Sequence, residues 1–222
     1  MCGRYTLTKA PDEEKVIEPE GIEIPLIPRY NIAPSQFCPI VPMDDPIHIH
    51  FFRWGLIPHW AREASVGYKM INARAETLTE KPAFRNLLGN RRCLVLADSF
   101  FEWKKAGSKK QPYRIMLKSG EVFAFAGLTS RWRDPADGQE IGTFTIITCE
   151  PNEVAALYHD RMPVILTRES ARIWLDPKAE LHDALSLLKP YPAAEMRAYP
   201  VSPAVGSPRN DSEDLVREWK GK

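Results

Sequence analysis

The residue types that could do chemistry begin at the second position. In "MCGRY", Cys2 follows a single methionine and precedes Gly3 and Arg4. If Met1 stays, Cys2 is a small residue near a chain end, where order is usually lost. If Met1 is removed, one residue carries a thiol and a free α-amine on adjacent carbons. An α-amine with a pKa of about 7.7–8.0 is partly neutral near pH 7, whereas a lysine amine near 10.4 is protonated. The arginine beside Cys2 favours the thiolate.

Three further stretches carry candidate groups. In "FFEWK" (100–104), strand geometry puts Phe100, Glu102 and Lys104 on one face and Phe101 and Trp103 on the other. A carboxylate flanked by aromatics loses water, which raises its pKa toward that of a useful general acid or base. The alternative is a solvent-facing glutamate on a half-buried strand. In "LYHDRMPVIL" (157–166), His159 and Asp160 fall between a short helix and a strand, where a histidine can move protons near neutral pH. There Arg161 could pair with Asp160 or with a phosphate, and a capping cluster is the plainer reading. In "INARAET" (71–77), an extended chain puts Asn72, Arg74 and Glu76 on one side, with donors suited to a sugar–phosphate or carbonyl oxygen. Trp60, closing "WGLIPHW", could stack on a base or simply pack at a rim.

Other groups offer less. His48 and His50 could ligate a metal from one strand face, but no third ligand is evident and no metal is expected. Lysines 104, 105, 109 and 110 mark a cationic hairpin tip. The stretch "RYNIAPSQ" (29–36) reads as an extended loop with no chemistry of its own. There is no phosphate-binding glycine loop, H-E-x-x-H or G-x-S-x-G. The 4 cysteines are far apart with no C-x-x-C, and Cys38, Cys93 and Cys149 sit in apolar runs that read as buried packing.

The elements that must position these groups are mostly strands. "PIHIHFFRW" (46–54) alternates, with Ile47, Ile49 and Phe51 on one face. "RCLVLA" (92–97), "SFFEWK" (99–104), "PYRIML" (112–117), "VFAFAGL" (122–128) and "GTFTIITC" (142–149) follow. Helices are expected around 12–18, 80–88, 152–157, 168–175 and 178–188, with a terminal helix in "DSEDLVREWK". The 20 prolines argue for many short elements, and the order is not a regular strand–helix alternation. The expected class is α+β, one compact domain over residues 1–222 with an antiparallel, barrel-like sheet and a few short helices.

Bulk numbers narrow the partners. With 222 residues, 44% hydrophobic and 27% charged, the chain is an ordinary globular protein with a sizeable core. Lys plus Arg (30) almost cancel Asp plus Glu (29), so any nucleic-acid site must be a local basic groove. No apolar run has membrane-spanning length and no signal segment opens the chain, so a cytoplasmic location without a membrane partner is expected.

Taken in order, "MCGRY", "YNIAP", "WGLIPHW", "INARAET", "FFEWKK", "KQPY" and "HDRMPVIL" resemble the SRAP family, the SOS-response-associated peptidase or abasic-site-processing proteins. The resemblance runs from residue 2 to about residue 205 and leaves the tail 206–222 unassigned. It implies a mature protein that starts at Cys2, binds single-stranded DNA and forms a thiazolidine crosslink with the aldehyde of an abasic site, as a monomer and without a cofactor. In the cell it would lie in the cytoplasm, on the nucleoid when bound to DNA. By the same resemblance Glu102 moves protons during carbinolamine dehydration, and His159 serves the opened sugar oxygen. Asn72 holds the N-terminus and sugar, Arg4 and Arg74 contact phosphates, and Trp60 wedges the strand. The family usually has glycine where this chain has Ser99, and 127–140 reads as a variable surface loop. Two rivals remain: a thiol autopeptidase with Cys2 as nucleophile and His159 as base, and a non-covalent single-strand binder indifferent to Cys2.

Overall fold

The computed structural model describes residues 2–9, 27–107 and 109–221. The helix expected over 12–18 lies outside them. The strands are β1 (Tyr5–Leu7), β2 (Arg29–Ile32), β3 (Phe37–Pro42), β4 (His50–Trp54), β5 (Asn72–Arg74), β6 (Arg92–Ala97) and β7 (Ser99–Ala106). They continue as β8 (Lys109–Leu117), β9 (Phe123–Arg133), β10 (Glu140–Cys149), β11 (Met162–Pro163), β12 (Ile165–Leu166) and β13 (Met196–Pro200).

They make two sheets. The first is antiparallel throughout, in the order β13-β8-β7-β1-β2. In the second, β10-β4-β3-β6-β9 is a path whose ends also pair, β10 with β9, so these strands close into a barrel. Closure leaves no open edge along that path. The expected α+β barrel is therefore present. Its one departure from an antiparallel pattern is that β4 and β5 both run parallel to β10, one after the other along the same edge.

The link between β4 and β5 explains how one edge serves both. Gly55, at φ 119°, and Gly67 meet backbone to backbone; a Cβ on Gly55 would sit 2.6 Å from the Gly67 carbonyl oxygen. Only glycine permits both the positive φ and that approach. The connection thus doubles back tightly and delivers Asn72 beside Ile146 of β10.

Several sequence expectations need correction. The alternation over 46–54 does not make one strand. Residues 43–48 turn, and Asp45 takes His48 Nδ1 and His50 Nε2, each at 2.8 Å, so the two imidazoles close a polar turn. Nor is 127–140 a surface loop: it is the second half of β9 and a short turn into β10, with Trp132 fully buried. Helices are shorter than their apolar spacing suggested. α1 covers Pro82–Arg85, α2 Arg168–Leu175 and α3 Leu181–Ser186, while 155–157 and 213–216 are single 3-10 turns. α2 alone has the expected bounds. Thr167 caps its first turn by accepting from the Ser170 N–H, and buried Arg92 donates to the carbonyls of Trp174 and Asp176 at its far end.

The core lies between the two sheets. Tyr5 of β1 packs edge-on against Trp54 and Phe125, and Trp54 stacks on Phe144. A smaller cluster of Phe101, Val201, Val205 and Leu215 seals the outer face of β7 with the C-terminal tail. Among the described residues no helix is long and apolar enough to cross a membrane.

Candidate functional site

Cys2 is not a loose end. Its side chain is fully buried in the main core, and what fixes it is the pairing of β1 with β7. Tyr5 lies opposite Phe100, and the Phe101 N–H donates to the Arg4 carbonyl at 2.9 Å. Continuing that register sets Gly3 opposite Glu102. No side chain on Gly3 then stands between the N-terminal arm and the carboxylate. From the other sheet, Asn72 Nδ2 donates to the Cys2 carbonyl at 2.8 Å. Both sheets therefore grip the same residue.

A buried polar network holds β1 in register. Asp98 accepts from the Thr6 hydroxyl and from the Thr8 N–H, and Arg114 reaches Asp98 and Ser99 Oγ, the latter at 2.7 Å. Ser99 is thus a buried link between β7 and β8 that also touches Thr6. Sequence reasoning passed over Asp98. It also passed over Asn31, which is fully buried and ties the arm to the tail. Asn31 accepts from Arg4 and donates to the carbonyls of Val205, Ser207 and Asn210. No local signal marked it, since the short stretch Arg29–Ile32 that carries it is not an apolar run.

The electrostatics follow from burial. Glu102 is 4% exposed, and burial pushes its carboxyl up to about 7, with the Asp160 carboxylate adding to the effect. Burial also raises the Cys2 thiol well above the ordinary range, and the Glu102 carboxylate raises it further. The thiolate expected from a neighbouring arginine is therefore not favoured. Arg4 turns instead toward the tail: Nη1 donates to Asn31 Oδ1 at 2.8 Å and to the Val205 carbonyl at 2.7 Å, and its guanidinium lies 6.0 Å from the Trp103 ring.

His159 follows a 3-10 turn at Ala155–Leu157. Its Nδ1 is 2.6 Å from Asp160 Oδ1 and 3.1 Å from the Arg161 nitrogen. One Nδ1 can serve only one of these at a time: protonated, it donates to Asp160; unprotonated, it accepts from the Arg161 N–H. In the first case the neutral ring carries its lone pair on Nε2, the form a general base needs. Burial lowers the His159 pKa. Arg161 pairs with neither Asp160 nor an open phosphate site. It forks onto Glu76 at 2.8 and 2.9 Å and donates to the Thr148 carbonyl at 2.6 Å.

Asn72 also opens onto a groove of about 500 Å³ lined by Trp60, Met70, Arg74, Lys81 and Phe84. Trp60 is 60% exposed, and the side chain of Arg74 is open to solvent. Asn72 and Glu102 thus stand beside Cys2, His159 precedes the Asp160 carboxylate that acts on Glu102, and Trp60 and Arg74 lie in the adjoining groove. Arg4 is not among the residues that line the groove. Lys81, which sequence reasoning did not single out, is.

Comparison with known proteins gives this arrangement its relatives. The chain is 50% identical over 224 residues to the "Abasic site processing protein YoqW" of Bacillus subtilis, covering 97% of this chain and 99% of that protein. It is 30% identical to the "Abasic site processing protein HMCES" of Xenopus tropicalis, covering 97% of this chain and 78% of that one. A crystal structure of a protein from Bacteroides thetaiotaomicron superposes with a TM-score of 0.82 at 29% identity, over 98% of this chain and all of the other. Residues 1–208 match the family described as SOS response associated peptidase (SRAP), and the chain belongs to that family.

Proposed function

We propose that this protein processes abasic sites by binding single-stranded DNA and linking Cys2 covalently to the aldehyde of the ring-opened sugar. The observation that carries the reading is a double grip on one residue. Asn72 holds the Cys2 carbonyl at 2.8 Å, and a buried carboxyl with a pKa near 7, that of Glu102, stands beside the same residue.

The chemistry balances without a cofactor. Once Met1 is removed, the α-amine adds to the aldehyde to give a carbinolamine. Glu102 donates a proton to the departing hydroxyl, water leaves and an imine forms. The thiol then adds to the imine carbon: a C–S bond forms, the sulfur proton passes to nitrogen and a five-membered thiazolidine closes. The net loss is one water. The sulfur loses its proton as the C–S bond forms, and the imine nitrogen of the same residue takes it up, so no standing thiolate is required. His159 serves the proton exchange at the sugar oxygen. Asn72 Oδ1 is buried with no hydrogen-bond partner among the described residues, and is an acceptor available to the amine or the carbinolamine hydroxyl. Arg74 and Lys81 suit phosphates in the groove, and Trp60 suits the face of a base.

The test is intact mass before and after incubation with single-stranded DNA bearing one abasic site. A protein starting at Cys2 should gain the mass of the DNA minus one water and keep it through denaturation without borohydride. A protein starting at Cys2 that gains nothing overturns the proposal. In the same assay Asn72→Ala should crosslink about 10- to 100-fold more slowly, because a small misplacement of reacting groups has that effect. The adduct should still reach completion on long incubation, since amine and thiol are both intact.

A further inference from the structure

We propose that Tyr158, packed against Tyr113, is a positioning residue that holds His159 against the Glu102 face of the β7–β8 hairpin. The inference rests on the crosslinking reading and adds residues to it. Tyr113 is directly opposite Glu102 in the β7–β8 ladder, so both side chains leave the same face of the sheet. The rings of Tyr113 and Tyr158 lie 4.5 Å apart between centroids. Lys104, two residues beyond Glu102 on that face, places its ammonium 5.8 Å from the Tyr158 ring. Tyr158 is thus seated by two residues that flank the carboxylate, by contacts of the aromatic and cation–π kinds.

The seat fixes one end of a strap. Residues 158–161 cross from the first sheet to the second, and the far end is fixed by Arg161, forked onto Glu76 and bonded to the Thr148 carbonyl of β10. His159 and Asp160 lie between the two anchors. The backbone N–H groups of Tyr158 and His159 both donate to the Ala155 carbonyl, at 2.9 and 3.0 Å, so the two residues leave one turn and the seat of the Tyr158 ring sets the direction in which the chain continues through His159. Nearby ionisable groups are Glu102, Lys104, Asp160, Arg161 and Glu76. Tyr158 carries no part of the reaction itself. Without its ring, this end of the strap keeps only its backbone bonds to Ala155, the side-chain seat on the first sheet is lost and the Glu102 face gains water.

The test uses Tyr158→Ala, Tyr158→Phe and Tyr113→Leu in the full chain, with Leu157→Ala as an exposed control. Tyr158→Ala should slow crosslinking at pH 7 about 5- to 10-fold and move the Glu102 limb of the pH–rate profile toward acid. Tyr113→Leu, which removes the ring partner, should do the same, so the inference survives if one variant folds poorly. Tyr158→Phe keeps the ring contact and should stay within about twofold of wild type. Proton NMR titration of His159 in the DNA-free protein should move toward the ordinary histidine value in Tyr158→Ala and stay put in Tyr158→Phe. Unchanged rate and profile in both truncations, or equal loss in Tyr158→Phe, overturns the inference. If even the wild type makes no crosslink, the crosslinking reading fails while the titration still decides what places His159.

Discussion

Replacing Cys2 with alanine should abolish the adduct that survives denaturation, yet leave one that borohydride can trap. An alanine at position 2 is small enough to be exposed by removal of Met1, so the α-amine remains and still condenses with the aldehyde. What it lacks is the second nucleophile. The imine then stays open to water and returns to starting materials unless it is reduced. Cys2→Ser places a hydroxyl on the same carbon, but a hydroxyl adds to an imine far less readily than a thiol, so it should behave like alanine. Intact mass with and without borohydride reads all three proteins in one experiment. Loss of about 1 kcal/mol in stability is expected for Cys2→Ala, the scale of one buried methylene, because the thiol is fully buried in the main core. Binding to undamaged single strands should be unaffected, since the groove residues are untouched. A denaturation-resistant adduct with Cys2→Ala would mean that another group captures the aldehyde.

How much of this was legible in the sequence varies with the physics involved. Strands that alternate and end at turns could be read directly: β6 has its expected bounds, and the faces of β7 divide as spacing requires, Phe100 and Glu102 toward Tyr113 and Ile115, Phe101 and Trp103 toward the tail. Alternation misled at 46–49, where Asp45 captures both histidines and the polar turn outweighs strand pairing. Helix lengths were overread because spacing shows where an apolar stripe exists and not how many turns the barrel leaves room to pack. The site residues announced themselves as types, but their meeting did not. Asn72 and Glu102 lie on different sheets, and only the register of β1 on β7 and of β5 on β10 brings them both to Cys2. Burial, which reverses the expected effect of Arg4 on the thiol, is a property of the whole fold and has no local signature. The tail that claims Arg4 carries no motif either, and the three carbonyls to which Asn31 donates are more than 170 residues away.

Glu102→Gln should make the protein more stable and less active, and pH should separate the two effects. In the folded chain the carboxyl titrates near 7, whereas in the unfolded chain it titrates at about 4.3. Below pH 4 both states hold the proton and the residue has no effect on stability. Between those values the folded state keeps a proton that the unfolded state releases, so stability falls as pH rises. Well above pH 7 the cost is complete, on the order of 4 kcal/mol at 1.36 kcal/mol per pKa unit. Glutamine cannot titrate. The stability of Glu102→Gln relative to wild type should therefore climb by about that amount between pH 4 and pH 8, read as the shift in urea midpoint at each pH. Crosslinking should slow by about 100-fold or more, the usual weight of a general acid, and lose its pH-dependent limb near 7. Destabilising burial is then what keeps a proton on Glu102 at the pH where the α-amine is losing its own. Stability curves that run parallel in the two proteins would mean that Glu102 ionises normally in the fold, and dehydration would need another acid.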